Sequence, residues 1–95
     1  MMIVNMRMQT ELPKDEVDRL CREGFPKFKA LEGLKQKYYI HNHENGDLGG
    51  VYFFETRKAA EDYVAGPIVA TVAERFKVVG DVKIECVEVL YTLDD

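Results

Sequence analysis

The run from Tyr38 to Glu55 constrains this chain most. Tyr38-Tyr39-Ile40-His41-Asn42-His43 and Leu48-Gly49-Gly50-Val51-Tyr52-Phe53-Phe54-Glu55 are two β-rich segments joined through Glu44-Asn45-Gly46-Asp47. An Asn-Gly pair between such segments predicts a hairpin, because a type I′ turn needs positive φ at both central residues. Counting outward from Asn45-Gly46 sets Tyr39 opposite Tyr52, Tyr38 opposite Phe53, Ile40 opposite Val51 and His41 opposite Gly50. Side chains alternate across a strand, so one face carries His43, His41, Tyr39, Lys37, Tyr52 and Phe54. The other carries Ile40, Tyr38, Val51, Phe53 and Leu34, which reads as core. The first is a mixture of aromatic and polar groups, the usual lining of a small-molecule pocket.

The rest of the chain supplies partners for that hairpin. Residues 2 to 9 alternate Met2, Val4, Met6, Met8 against Ile3, Asn5, Arg7, Gln9, the period of a strand. Pro13 suits a first helical turn, and Asp15 and Glu16 sit where the helix dipole favours negative charge. Val17, Leu20, Cys21, Gly24, Phe28 and Leu31 follow at helical spacing. Pro26 removes a backbone donor, so a break is expected near Gly24-Phe25-Pro26, and Gly33 ends the segment. Thr56 is a plausible N-cap for a helix burying Ala59, Ala60, Tyr63 and Val64. Gly66-Pro67 interrupts it; Ile68, Val69, Val72, Ala73 and Phe76 continue, and Gly80 closes the segment. Both breaks are expected to open a gap for a ligand. The last strand reads Val82, Ile84, Cys86, then changes phase to Val87, Val89, Tyr91, which implies a β-bulge or burial of both faces.

The order is β-α-β-β-α-β, an α+β, ferredoxin-like arrangement of one domain over residues 1–95, with an antiparallel four-stranded sheet and two interrupted helices on one face. Neither sheet face is polar enough to be solvated throughout, and two helices cover only one. A second copy pairing through its sheet is therefore expected, making the protein a homodimer.

Charge and composition narrow the partners. The formal net charge of −4 argues against nucleic acid. Lys27, Lys29, Lys35 and Lys37 read as solvated surface diluted by acids such as Glu32. No apolar run is long enough to span a bilayer, and Asn5 and Arg7 interrupt the N-terminal segment, so neither membrane nor secretion is expected. Cys21 and Cys86 lie far apart without metal-like spacing, which fits buried thiols in a reducing cytoplasm. His41-x-His43 could chelate a metal, but no third ligand is fixed by spacing, and no metal site is assigned.

Gly33-Leu34, Lys37-Tyr38-Tyr39, Asn42, and above all Gly49-Gly50-Val51-Tyr52-Phe53-Phe54-Glu55 followed by Ala59-Ala60-Glu61-Asp62-Tyr63, resemble the YdhR-like putative monooxygenases. These belong to the dimeric α+β barrel superfamily, with the antibiotic-biosynthesis monooxygenases. The resemblance implies sheet-to-sheet dimers, a ligand cavity between sheet and helices, and cofactor-independent oxygenation of a small aromatic or polyketide-like molecule. Such chemistry needs a dry cavity, a proton acceptor and a donor that stabilises the substrate anion. Among the available residues His41 is the expected proton acceptor, since histidine's ordinary pKa lies nearest neutrality. Asn5, on the first strand as in some relatives, would orient substrate; Tyr39, Tyr52 and Arg7 would bind it. The same residues also have plain readings: His41 as an imidazole near a hairpin end, the tyrosines as packing, and Arg7 as a salt bridge at the dimer edge. Gly49-Gly50 would permit a bulge or a close backbone approach. A non-catalytic dimer binding a small hydrophobic ligand is the alternative. Haem degradation fits less well, because relatives of that kind use a histidine on the second helix and residues 57–76 have none.

Overall fold

The computed structural model describes residues 1–94. Strand β1 spans Met2–Thr10 and is followed by helix α1, Lys14–Glu23, and the short α2, Phe25–Lys29. The hairpin strands are β2, Leu34–His41, and β3, Leu48–Phe54. Helices α3, Arg57–Val64, and α4, Pro67–Arg75, lead into β4, Val78–Glu88. All neighbouring strands are antiparallel in the order β2-β3-β1-β4, the expected ferredoxin-like sheet.

Both helix breaks occur where proline and glycine demand them. Pro26 follows the join at Gly24, and Pro67 opens α4 immediately after Gly66. Pro13 takes the N-cap position, just ahead of Asp15 and Glu16 in the first turn. The Thr56 hydroxyl caps α3 by accepting from the Ala59 amide at 3.1 Å. Gly80, expected to close the last helix, instead lies inside β4 at φ 78°; the turn is made by Lys77 at φ 48°. The phase change of β4 also lies earlier than the sequence pattern indicates. Arg7 pairs with Lys83 and Gln9 with Val79, so three residues, 80–82, face one.

The hairpin forms with a different turn. Only Gly46 has positive φ, at 81°. The Asn45 side chain accepts from the Asp47 amide at 2.9 Å, and the Asn42 and Asp47 backbones close a four-residue loop, His43–Gly46. The register is therefore Lys37 to Tyr52, Tyr39 to Gly50 and His41 to Leu48, two residues from the expected pairing. An even slip preserves which face each residue occupies. A bulge lies at Lys35, between Leu34 and Gln36, and carries Leu34 onto the Phe54 face, opposite to expectation. Gly49-Gly50 forms regular ladder; a Cβ on Gly49 would lie 1.8 Å from the Met6 carbonyl oxygen, so close approach is what this glycine permits.

The core also reverses one expectation. Helices pack on the face of Met2, Val4, Met6, Met8, Tyr52 and Phe54, all buried, joined by Ala60, Tyr63 and Val72. The face of Tyr38, Ile40, Val51 and Phe53, expected as core, carries no helix; Tyr38 is 56% exposed. The aromatic face is thus at once core and floor of the cavity. No helix among the described residues is long and apolar enough to cross a membrane.

Candidate functional site

Between the sheet and helices α1 and α4 lies a cavity of about 400 Å³. Val17, Leu20 and Cys21 of α1 form one wall, and Ile68, Val72 and Phe76 at α4 the other. Lys37, Tyr39 and His41 of β2 and Tyr52 of β3 line the floor, because strand alternation points them all at the helices. Gly50 contributes by having no side chain: a Cβ there would come within 2.9 Å of the Tyr52 ring. Gly24, at the first helix break, lines the cavity. Gly66 and Pro67 open instead on a second depression, which shares Tyr63 and Ile68 with the first.

At the centre of the floor the Lys37 ammonium is held among aromatic faces. Its Nζ stands 3.5 Å from the Phe28 ring centroid, 4.0 Å from Tyr39 and 4.7 Å from Tyr52. Lys37 makes no salt bridge among the described residues. Burial pushes its pKa down to about 7; Cys21 opposes that shift and Arg75 adds to it. The π faces favour the ammonium while burial favours the amine. Lys37 therefore lies near the balance point of its two forms at neutral pH.

The surrounding phenols and the Cys21 thiol hold their protons. Burial pushes Tyr39 and Tyr63 to about 12, and raises Tyr52 further, with the neighbouring Tyr63 adding to its shift. Burial also raises the Cys21 thiol. The Tyr52 and Tyr63 rings pack with centroids 4.9 Å apart, and Phe28 lies 6.0 Å from Tyr52. At neutral pH these phenols can donate hydrogen bonds but carry no charge.

Of the residues singled out from sequence, Tyr39, His41 and Tyr52 meet at this cavity. His41 is exposed and its ring stands edge-on to His43, with centroids 4.8 Å apart. Asn5 and Arg7 do not reach it. They alternate with Val4 and Met6, which fill the core, and so point to the uncovered face of the sheet. Asn5 pairs there with Val51 and Glu85, while the Arg7 guanidinium donates to the Met6 carbonyl at 3.0 Å rather than to a carboxylate. Lys37 was the residue missed, grouped in the sequence with exposed lysines. The signal was its parity with Tyr39 and His41. No group of three or more His, Cys, Asp or Glu side chains among the described residues is arranged to hold a metal ion.

Known structures share this architecture. A protein described as a putative antibiotic biosynthesis monooxygenase, from Deinococcus radiodurans, superposes with a TM-score of 0.75 at 14% identity, over 98% of this chain and 96% of that one. SnoaB, a cofactor-independent oxygenase from Streptomyces nogalater, gives 0.74 at 10% identity, over 99% and 97%. The monooxygenase ActVA-Orf6 of Streptomyces coelicolor, solved with nanaomycin D, gives 0.71 at 12%, over 97% and 89%. At such identities the likeness is one of fold. No curated protein matches the chain in sequence. Residues 1–94 match the family model described as "Putative mono-oxygenase ydhR", and the chain belongs to that family.

Proposed function

We propose that this protein is a cofactor-independent monooxygenase whose substrate is a small phenol or enol bound in the cavity between the sheet and helices α1 and α4. One observation carries the reading: largely apolar walls flank a floor on which Lys37, Tyr39, His41 and Tyr52 converge. A volume of about 400 Å³ suits a small aromatic molecule. The fold relatives support the class of chemistry, since SnoaB is a cofactor-independent oxygenase and ActVA-Orf6 takes nanaomycin D as ligand.

The substrate supplies the electrons. Loss of a proton makes a phenol or enol electron-rich enough to reduce dioxygen, and a methylene carbon activated in this way gives C=O and water from CH₂ and O₂. The protein must accept the proton, donate to the resulting anion, and exclude water. Tyr39 and Tyr52, protonated at neutral pH, are the donors. Of the lining residues, His41 and Lys37 are the bases available to take the proton. Asn5 and Arg7 belong instead to the outer sheet face, where a second protomer pairs in the assembly we propose.

The test is oxygen uptake with anthrone and related phenols, above the rate in buffer. Turnover is expected, with the methylene converted to a carbonyl. A non-catalytic binding protein is the second reading, and it too has an observation behind it: no hydrogen bond among the described residues fixes the His41 ring. Ligand binding without oxygen uptake across the panel would establish that reading instead.

A further inference from the structure

We propose that Lys37 is the group that takes the substrate's proton, so that the site selects phenols and enols that bind as anions against its ammonium. This rests on the reading of the cavity as the substrate site. Three geometric facts carry it. The Lys37 Nζ stands within 4.7 Å of three ring centroids, those of Phe28, Tyr39 and Tyr52. It lines the cavity from the middle of β2, directly across the ladder from Tyr52. And no carboxylate pairs with it among the described residues, which leaves the place of a counter-ion open to a ligand.

The groups sharing its surroundings leave Lys37 as the acceptor. Lys14, Asp18 and Cys21 look in from α1, Arg75 from α4, Tyr63 from α3, and Tyr39 and Tyr52 from the sheet. The phenols and the thiol are held in their protonated forms by burial, so they donate. Arg75 cannot accept a proton, and a carboxylate such as that of Asp18 is by its chemistry too weak a base to take one from a phenol. His41 is exposed, and its ring is not one of those around the Lys37 Nζ. In the step itself the ligand O–H bond breaks, its electron pair stays on oxygen, and a new N–H bond forms on the Lys37 amine. The product is a phenolate beside an ammonium whose other sides face π surfaces, a pairing that each half of the site stabilises.

7-Hydroxycoumarin tests this, because its phenolate absorbs at longer wavelength than the phenol; 7-methoxycoumarin, which has no proton to give, controls for the cavity. With the probe buffered just below its own pKa, the phenolate band is expected to grow as the parent protein is added. Lys37→Met is expected to lose the bound anion at least tenfold while still binding 7-methoxycoumarin. A complex that stores one proton also binds less tightly above the pKa values of probe and lysine, by about tenfold per pH unit. In Lys37→Arg, whose charge is permanent, affinity stays level there. A parent profile that stays level, or a Lys37→Met protein that ionises the probe like the parent, would each overturn the assignment. Failure of the parent to bind either coumarin would overturn the cavity reading as well. Ionisation of the probe without oxygen uptake on anthrone would keep Lys37 and remove only the oxygenase.

Discussion

Lys37 has a thermodynamic signature independent of any ligand. Its pKa falls from the ordinary 10.5 to about 7 on folding, chiefly through burial. Below about pH 7 both folded and unfolded chains bind the proton, and the folded state bears the full cost of holding a charge in a poorly hydrated place. Between about pH 7 and 10.5 the unfolded chain binds more protons, so this residue's contribution makes stability rise with pH. Tyr39 and Tyr63, raised to about 12, act in the opposite sense above pH 10 and close the window. Lys37→Met should therefore be more stable than the parent at pH 6, with an advantage of about 2–3 kcal/mol after allowance for partial hydration, vanishing towards pH 10. Urea midpoints at the two pH values check this; an advantage that does not change with pH would mean that Lys37 is hydrated. The residue was legible only in part. Strand parity put it beside Tyr39 and Tyr52, but parity cannot say that Phe28, after a helix break, closes over it. Asn5 and Arg7 show the converse. Their alternation with Met2, Val4, Met6 and Met8, all buried, already placed them on the outer face.

At the scale of elements, local chemistry fixed the joints and tertiary geometry fixed the registers. The breaks at Gly24 and Gly66 follow from proline's missing donor, and the α3 cap from a hydroxyl placed three residues before an amide that lacks a partner. These were readable because each depends on a few consecutive residues. The hairpin pairing was not, since parity survives a shift of two while the partner of every residue changes. The Asn45 side chain decides it by bonding to the Asp47 amide, which favours a four-residue loop over a type I′ turn. The Lys35 and Gly80 irregularities depend on strands distant in the chain and leave no local trace. Helix α3 is short and carries Tyr63, whose ring packs on Tyr52 at the cavity, so its start matters to the site. Thr56→Ala should cost about 1 kcal/mol in urea unfolding, and Thr56→Ser almost nothing. Equal losses in the two variants would assign the effect to the threonine methyl rather than to the cap.

For the whole molecule the decisive feature is that one sheet serves two surfaces. The helices, the cavity and the core occupy one side. On the other, Ile3, Val51 and Phe53 are only half-buried, and the Tyr38 ring, 56% exposed, meets Phe53 edge-on at 5.9 Å. Apolar strand faces of this kind are rarely left to water, and we propose a second copy of the same sheet as the self-complementary cover. Asn5 and Arg7 would lie within that contact. With the two faces separate, the proposed assembly and the proposed binding would be independent, which gives a prediction about both. Sedimentation equilibrium at micromolar concentration should find a dimer of the parent protein. Phe53→Glu, which places a charge at the centre of the face, should weaken it at least a hundredfold, because an unpaired carboxylate must be buried or the contact given up. The same variant should bind 7-methoxycoumarin as the parent does, since Phe53 and Tyr52 point to opposite sides of β3. A stable parent monomer would remove the barrel assembly. A Phe53→Glu monomer that had lost the ligand would instead show that the partner protomer completes the cavity, and that the two faces of the sheet are coupled.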